Sequence, residues 1–178
     1  MEKLNNSAIG IFGGSFDPPH KGHLKISQVS LKKIKLKKLY WVITKKNPFK
    51  KKPFFKINAR ITACKKIIRN NKKIKVIVLE NKVKSTRMID VIKFLLRKNK
   101  KTIFYLIIGS DVFCSFHMWK SWKKILKLCK LVVFSRKGFD KKMQKSVIHK
   151  HLKQNNFIHI KNHKVNISSS QLRKACLK

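Results

Sequence analysis

Short, almost uninterrupted apolar runs recur along the chain, separated by stretches whose apolar residues return every three or four positions. The runs are Ala8 to Phe12 (AIGIF), Leu39 to Ile43 (LYWVI), Ile74 to Leu79 (IKVIVL), Thr102 to Ile108 (TIFYLII) and Leu131 to Phe134 (LVVF), with Ile158 to Ile160 as a shorter sixth. Runs this short and this apolar predict strands covered on both faces. Helical spacing fills the gaps between them. His23 to Lys33 carries Leu24, Ile26, Val29 and Leu31 on helical turns, and Asn58 is placed to cap a helix across Ala59 to Ile68. Ser85 or Thr86 caps another through Met88 to Leu96, Trp119 to Leu128 forms the next, and Ser168 opens the last. Strands alternating with helices predict an α/β protein with a single doubly wound, Rossmann-like parallel sheet and helices on both faces. No repeat or low-complexity linker interrupts the 178 residues, so residues 1–178 read as one domain.

Composition changes this picture little. Hydrophobic residues make up 43%, the share of a folded protein. No apolar stretch has the length of a signal peptide or a membrane span, so a cytoplasmic protein without a membrane partner is expected. Cys64, Cys114, Cys129 and Cys176 are widely spaced, which predicts reduced thiols rather than a metal or disulfide framework. Charge is the outlying feature: 46 Lys+Arg face 6 Asp+Glu, a net +40. A dedicated nucleic-acid surface would explain it, as would drift in base composition. Only six of the cations are arginine, the residue that reads phosphates and bases bidentately, and the lysines are scattered along the whole chain. Drift is the favoured reading, with no dedicated nucleic-acid partner, although the field still attracts anionic substrates.

Chemistry concentrates where the first strand ends, in Gly13-Gly14-Ser15-Phe16-Asp17-Pro18-Pro19-His20-Lys21-Gly22-His23. Glycines let a backbone come close to a ligand, and two imidazoles at a helix entry are hydrogen-bond donors beside amides that already favour anions. A second string, Asn166-Ile167-Ser168-Ser169-Ser170-Gln171-Leu172-Arg173, offers hydroxyls at a helix start and a forked cation one turn on.

The first string resembles the HxGH signature of the nucleotidyltransferase superfamily, and GGSFDPPHKGHL resembles the nicotinate-nucleotide adenylyltransferases in particular. The second resembles that superfamily's ISSTxIR motif. Ile107-Ile108-Gly109-Ser110-Asp111 followed by Trp119 is similar to the family's GxD…W segment, and Leu131 to Phe139 to its strand ending in Arg-Pro-Gly. Thr86 to Asp90 stands where the family closes on its nicotinate with backbone amides.

The resemblance implies transfer of AMP from ATP to nicotinate mononucleotide in NAD biosynthesis, with pyrophosphate released and Mg²⁺ accompanying ATP. It implies His20 and His23 as catalytic groups on the triphosphate, beside Gly13, Gly14, Ser15 and Phe16. It further implies Gly109 and Asp111 at the ATP ribose, Ser169, Ser170 and Arg173 at the β and γ phosphates, and Thr86, Trp119 and Arg136 at the acceptor. Three features depart from the family. Thr44 to Lys51 lacks the second Pro and the His of the family's PxxxPPHK loop, Met88 replaces a Thr, and Lys178 stands where relatives continue into a further helix. Another phosphorylated acceptor, nicotinamide mononucleotide or phosphopantetheine, remains an alternative, as does a non-catalytic nucleic-acid binder.

Overall fold

The computed structural model describes residues 7–45, 52–69, 71–152, 157–161 and 169–176. The chain begins with β1 (Ser7–Gly14), α1 (Lys21–Lys33), β2 (Lys38–Ile43), α2 (Ile57–Ile68) and β3 (Ile74–Ile77). It continues through α3 (Glu80–Val83), α4 (Met88–Lys98), β4 (Thr102–Gly109) and α5 (Ser110–Ser115), then a 3₁₀ turn at Phe116–Met118. α6 (Trp122–Leu128), β5 (Lys130–Phe134), α7 (Asp140–Gln144), α8 (Val147–Leu152), β6 (Phe157–Ile160) and α9 (Ser169–Cys176) complete the described elements.

All six strands are parallel, in the order β3-β2-β1-β4-β5-β6. The sheet is the doubly wound, Rossmann-like one that alternating strands and helices predict. Strand side chains alternate between its faces. Ile9, Ile11, Val42, Phe104, Leu106 and Val133 pack against apolar residues of α4 to α8, including Ile92, Leu95, Phe113 and Ile148. Phe12, Leu39, Trp41, Ile107, Val132 and Ile160 face the other way, toward Cys64 and Ile68 of α2 and the partly buried apolar residues of α1. Strand order reverses between β1 and β4, so the connections leave these neighbours toward opposite sides and open a crevice at their carboxyl ends. Gly13-Gly14 and Gly109 stand at its lip.

Several boundaries differ from the expectation. α2 starts at Ile57 behind Lys56, which makes no side-chain cap, so Asn58 lies inside the helix. The expected helix from Trp119 begins only at Trp122, because Trp119 is extended and Ser121 adopts φ 60° in the left-handed region. The third strand stops at Ile77, and Leu79 caps α3 instead. Arg87 occupies the N-cap position of α4, but the Ser85 hydroxyl accepts from its amide at 3.1 Å and donates to Asp90 Oδ2 at 2.7 Å. Ser168 lies outside the described residues, as does most of the altered Thr44 to Lys51 loop.

Candidate functional site

At Gly13 a side chain would collide with the Met88 methyl, so glycine is what lets the first residue of α4 close over the end of β1. Phe16 then takes φ 47°, an uncommon conformation for a residue with a side chain. Its ring turns inward, 2% exposed, stacked on Trp41 at 4.8 Å and edge-on to Phe12 at 5.6 Å. Burial of an aromatic ring, about 1.5–3 kcal/mol, offsets a backbone cost of about 1–3 kcal/mol. Phe16 therefore presents only its backbone to a ligand, a narrower contribution than a contact through its side chain.

His20 is the N-cap of α1. Its Nδ1 accepts the Gly22 amide at 3.1 Å, while its own amide donates to His23 Nδ1 at 3.2 Å. The two rings lie 3.8 Å apart, and His23 rests against Phe16 at 4.9 Å. An imidazole nitrogen that accepts an N–H carries no proton, so both rings hold theirs on Nε2. Burial, reinforced by the positive field of Arg136, lowers the His20 pKa from 6.5 to about 4. At neutral pH His20 is thus an uncharged Nε2–H donor. Below the pair, Trp41 Nε1 donates to Ser27 Oγ at 2.7 Å, and that hydroxyl donates to the His23 carbonyl at 2.9 Å. The core on the α1 and α2 face of the sheet in this way fixes the turn of helix that carries His23.

α9 reaches the same turn from the far end of the chain. Ser169 Oγ donates to the Pro18 carbonyl at 2.9 Å, and Arg173 donates to the Asp17 carbonyl and, through Nη2, to Ser170 Oγ at 3.0 Å. The Arg173 guanidinium is 3.6 Å from the Asp17 carboxylate, which accepts the Phe54 and Phe55 amides at 2.8 and 2.9 Å. Ser169 and Arg173 of the second signature thus meet the Asp17-Pro18 turn of the first.

Across the crevice, Gly109 makes room for the Asp111 carboxylate, which a Cβ there would strike. Asp111 Oδ2 accepts from Arg136 Nη1 at 2.6 Å, and the Arg136 amide donates to Ser110 Oγ at 2.8 Å. The residues expected at ribose and acceptor are thus each other's partners. Trp119 packs on Phe116 at 5.0 Å beside the core on the α4 to α8 face of the sheet. Thr86 lies in an open groove of about 780 Å³ with Lys45, Glu80, Asn81, Val83, Lys84, Ser85, Arg87 and Asp90. Trp119 and Arg136 are not among these lining residues.

The sequence marked the Thr86 to Asp90 rim of that groove but missed Lys45, Glu80 and Lys84. It also missed Arg60, 2% exposed beneath the glycine turn. The available signal was scarcity: with six acids and six arginines in the chain, a buried Glu80 or Arg60 is conspicuous. Among the described residues no three His, Cys, Asp or Glu side chains gather as metal ligands, and no helix is long and apolar enough to cross a membrane. Burial pushes the Cys64 and Cys129 thiols up to about 12, which makes them inert.

Comparison with known proteins identifies the family of the chain. The cytidylyltransferase-like family model matches residues 11–175. A probable nicotinate-nucleotide adenylyltransferase of Pelagibacter ubique is 49% identical over 166 residues, covering 93% of this chain and 92% of the relative. Another from Fusobacterium nucleatum is 34% identical, covering 93% and 85%. Among solved structures, the nicotinic acid mononucleotide adenylyltransferase of Plasmodium falciparum complexed with NaAD superimposes with a TM-score of 0.76 at 25% identity, covering 95% of this chain and 83% of that one.

Proposed function

The chain belongs to the nicotinate-nucleotide adenylyltransferases of the cytidylyltransferase-like family, and from that membership we propose how its own residues carry the reaction. The reaction is transfer of AMP from ATP to nicotinate mononucleotide, giving nicotinate adenine dinucleotide and pyrophosphate. An oxygen of the mononucleotide phosphate bonds to the α-phosphorus of ATP as the bond from that phosphorus to the pyrophosphate breaks. The attacking phosphate is already ionised at neutral pH, so no strong base and no covalent enzyme intermediate is needed. What the protein supplies is alignment and stabilisation of charge on the phosphoryl oxygens.

The observation that carries this reading is the His20–His23 pair, ring centroids 3.8 Å apart and tilted by 41°, with both Nδ1 atoms held by backbone amides. Their Nε2–H groups donate to the α and β phosphates, next to the Gly13 to Phe16 backbone and the start of α1. Ser169, Ser170 and Arg173 serve the β and γ end, where Arg173 supplies the formal charge that a neutral His20 does not. Asp111, whose carboxylate keeps acceptor capacity beside its bond from Arg136, accepts the ATP ribose hydroxyls, and Arg136 stands on the acceptor side. The groove around Thr86, with Lys45, Lys84 and Arg87 on its rim, takes the anionic acceptor. Trp119 is assigned to the pyridine ring by the family resemblance alone, since it packs on Phe116 and does not line the groove.

Magnesium bound to the ATP phosphates would neutralise charge on the departing pyrophosphate.

Labelled ATP tests the assignment of bond breakage. Radioactive phosphorus at the α position is expected in the dinucleotide, and label at the γ position in pyrophosphate. Movement of γ label to the acceptor would make this a phosphoryl transfer and overturn the reading.

A further inference from the structure

Arg60 lies in the first turns of α2 and points back under the Ser15 turn. Its Nη1 donates to the carbonyls of Ser15 at 2.6 Å and Thr44 at 2.8 Å, its Nη2 to Lys45 at 3.1 Å, and its Nε to Phe55 at 3.1 Å. One guanidinium thereby ties together the phosphate turn, the segment after β2 and the approach to α2. A lysine ammonium in its place has a single nitrogen and cannot reach all four oxygens.

Two buried carboxylates flank this cation without forming an ion pair with it. Asp17 holds the Phe54 and Phe55 amides, and Glu80 Oε1 holds the Lys45 amide at 3.0 Å. Burial lowers the Arg60 pKa, and the fields of Asp17, Cys64 and Glu80 act against that shift. The Thr44 amide also donates to the Gly14 carbonyl at 3.0 Å, so the segment after β2 is bound to the phosphate turn twice. Ser15 belongs to the triphosphate side, while Lys45 and Glu80 line the acceptor groove.

We propose that Arg60 is a positioning residue that sets the spacing between the triphosphate turn and the acceptor groove, and so aligns the attacking phosphate with the α-phosphorus. It touches neither substrate in this scheme. The proposal rests on the adenylyl-transfer reading, so the wild-type enzyme is assayed first. A wild type without turnover on ATP and nicotinate mononucleotide removes that reading, and Arg60 with it.

Given an active wild type, Arg60→Lys keeps the charge and loses the bracing. Misplacement by about 1 Å costs roughly 10²-fold, so kcat is expected to fall about 10- to 100-fold. The KM values of both substrates are expected to stay within about threefold, because each half-site keeps its own contacts. Methylguanidinium added to Arg60→Ala is expected to restore part of kcat, and methylammonium none. Rates are taken per folded molecule by near-ultraviolet circular dichroism, in sucrose at low temperature where a variant melts early. A kcat within about threefold of wild type, a loss carried by one KM, or a loss that vanishes per folded molecule overturns the proposal.

Discussion

His20 and His23 owe their chemistry to which nitrogen the backbone occupies. With each Nδ1 accepting an amide hydrogen, the Nε2–H is presented as a neutral donor, strong enough to stabilise a phosphoryl oxygen and unable to lose a proton to it. Removing one such donor typically costs about 10²–10³-fold in rate, so His23→Ala should lose that much kcat while its near-ultraviolet spectrum stays native. The buried His20 should titrate near pH 4 by NMR rather than at 6.5. Between those values the unfolded chain binds a proton that the folded chain does not. Stability should therefore fall as pH drops through that window and level off beneath it, and His20→Gln should flatten the slope of thermal midpoint against pH. The arginines show how residue chemistry survives in a lysine-dominated chain. Arg60, Arg87, Arg136 and Arg173 all stand in or beneath the crevice and groove, and Arg60, Arg136 and Arg173 make forked or short hydrogen bonds there. A solvated surface cation tolerates lysine, but a guanidinium shared among several carbonyls does not.

At the scale of elements, the strands were legible because a parallel strand buried on both faces is apolar at nearly every position. The helices of the second half were harder to read. α7 buries only Met143, and α8 only Ile148 and Leu152, amid lysines that leave no long periodic stripe. The start of α2 was unreadable for another reason. Its approach is held by the Asp17 carboxylate on the Phe54 and Phe55 amides, a contact made across 37 and 38 residues that no local cap signals. The spatial meeting of α9 with the Pro18 turn was legible only through the family resemblance, since spacing in sequence says nothing about a contact spanning 151 residues. α1 offers a clean energetic test. Ser27→Ala would leave the fully buried indole N–H of Trp41 without its acceptor. That costs about 1–3 kcal/mol, to be read as a lower midpoint at unchanged slope in urea unfolding.

For the whole molecule, 46 cations against 6 acids set two effects in opposition. The field draws in two anionic substrates, and the same charges repel one another in the folded state. Raising NaCl from about 0.05 to 0.5 M shortens the screening length several-fold, so KM for both substrates should rise while the thermal midpoint also rises. Equal insensitivity of both would mean that the surface charge acts on neither. The central claim concerns what this assembly turns over, and it is tested most directly by pyrophosphate release from ATP with nicotinate mononucleotide, nicotinamide mononucleotide or phosphopantetheine as acceptor. Preferred turnover of nicotinate mononucleotide is the predicted result. Turnover confined to either of the other acceptors, or none by folded protein with any of the three, would contradict it.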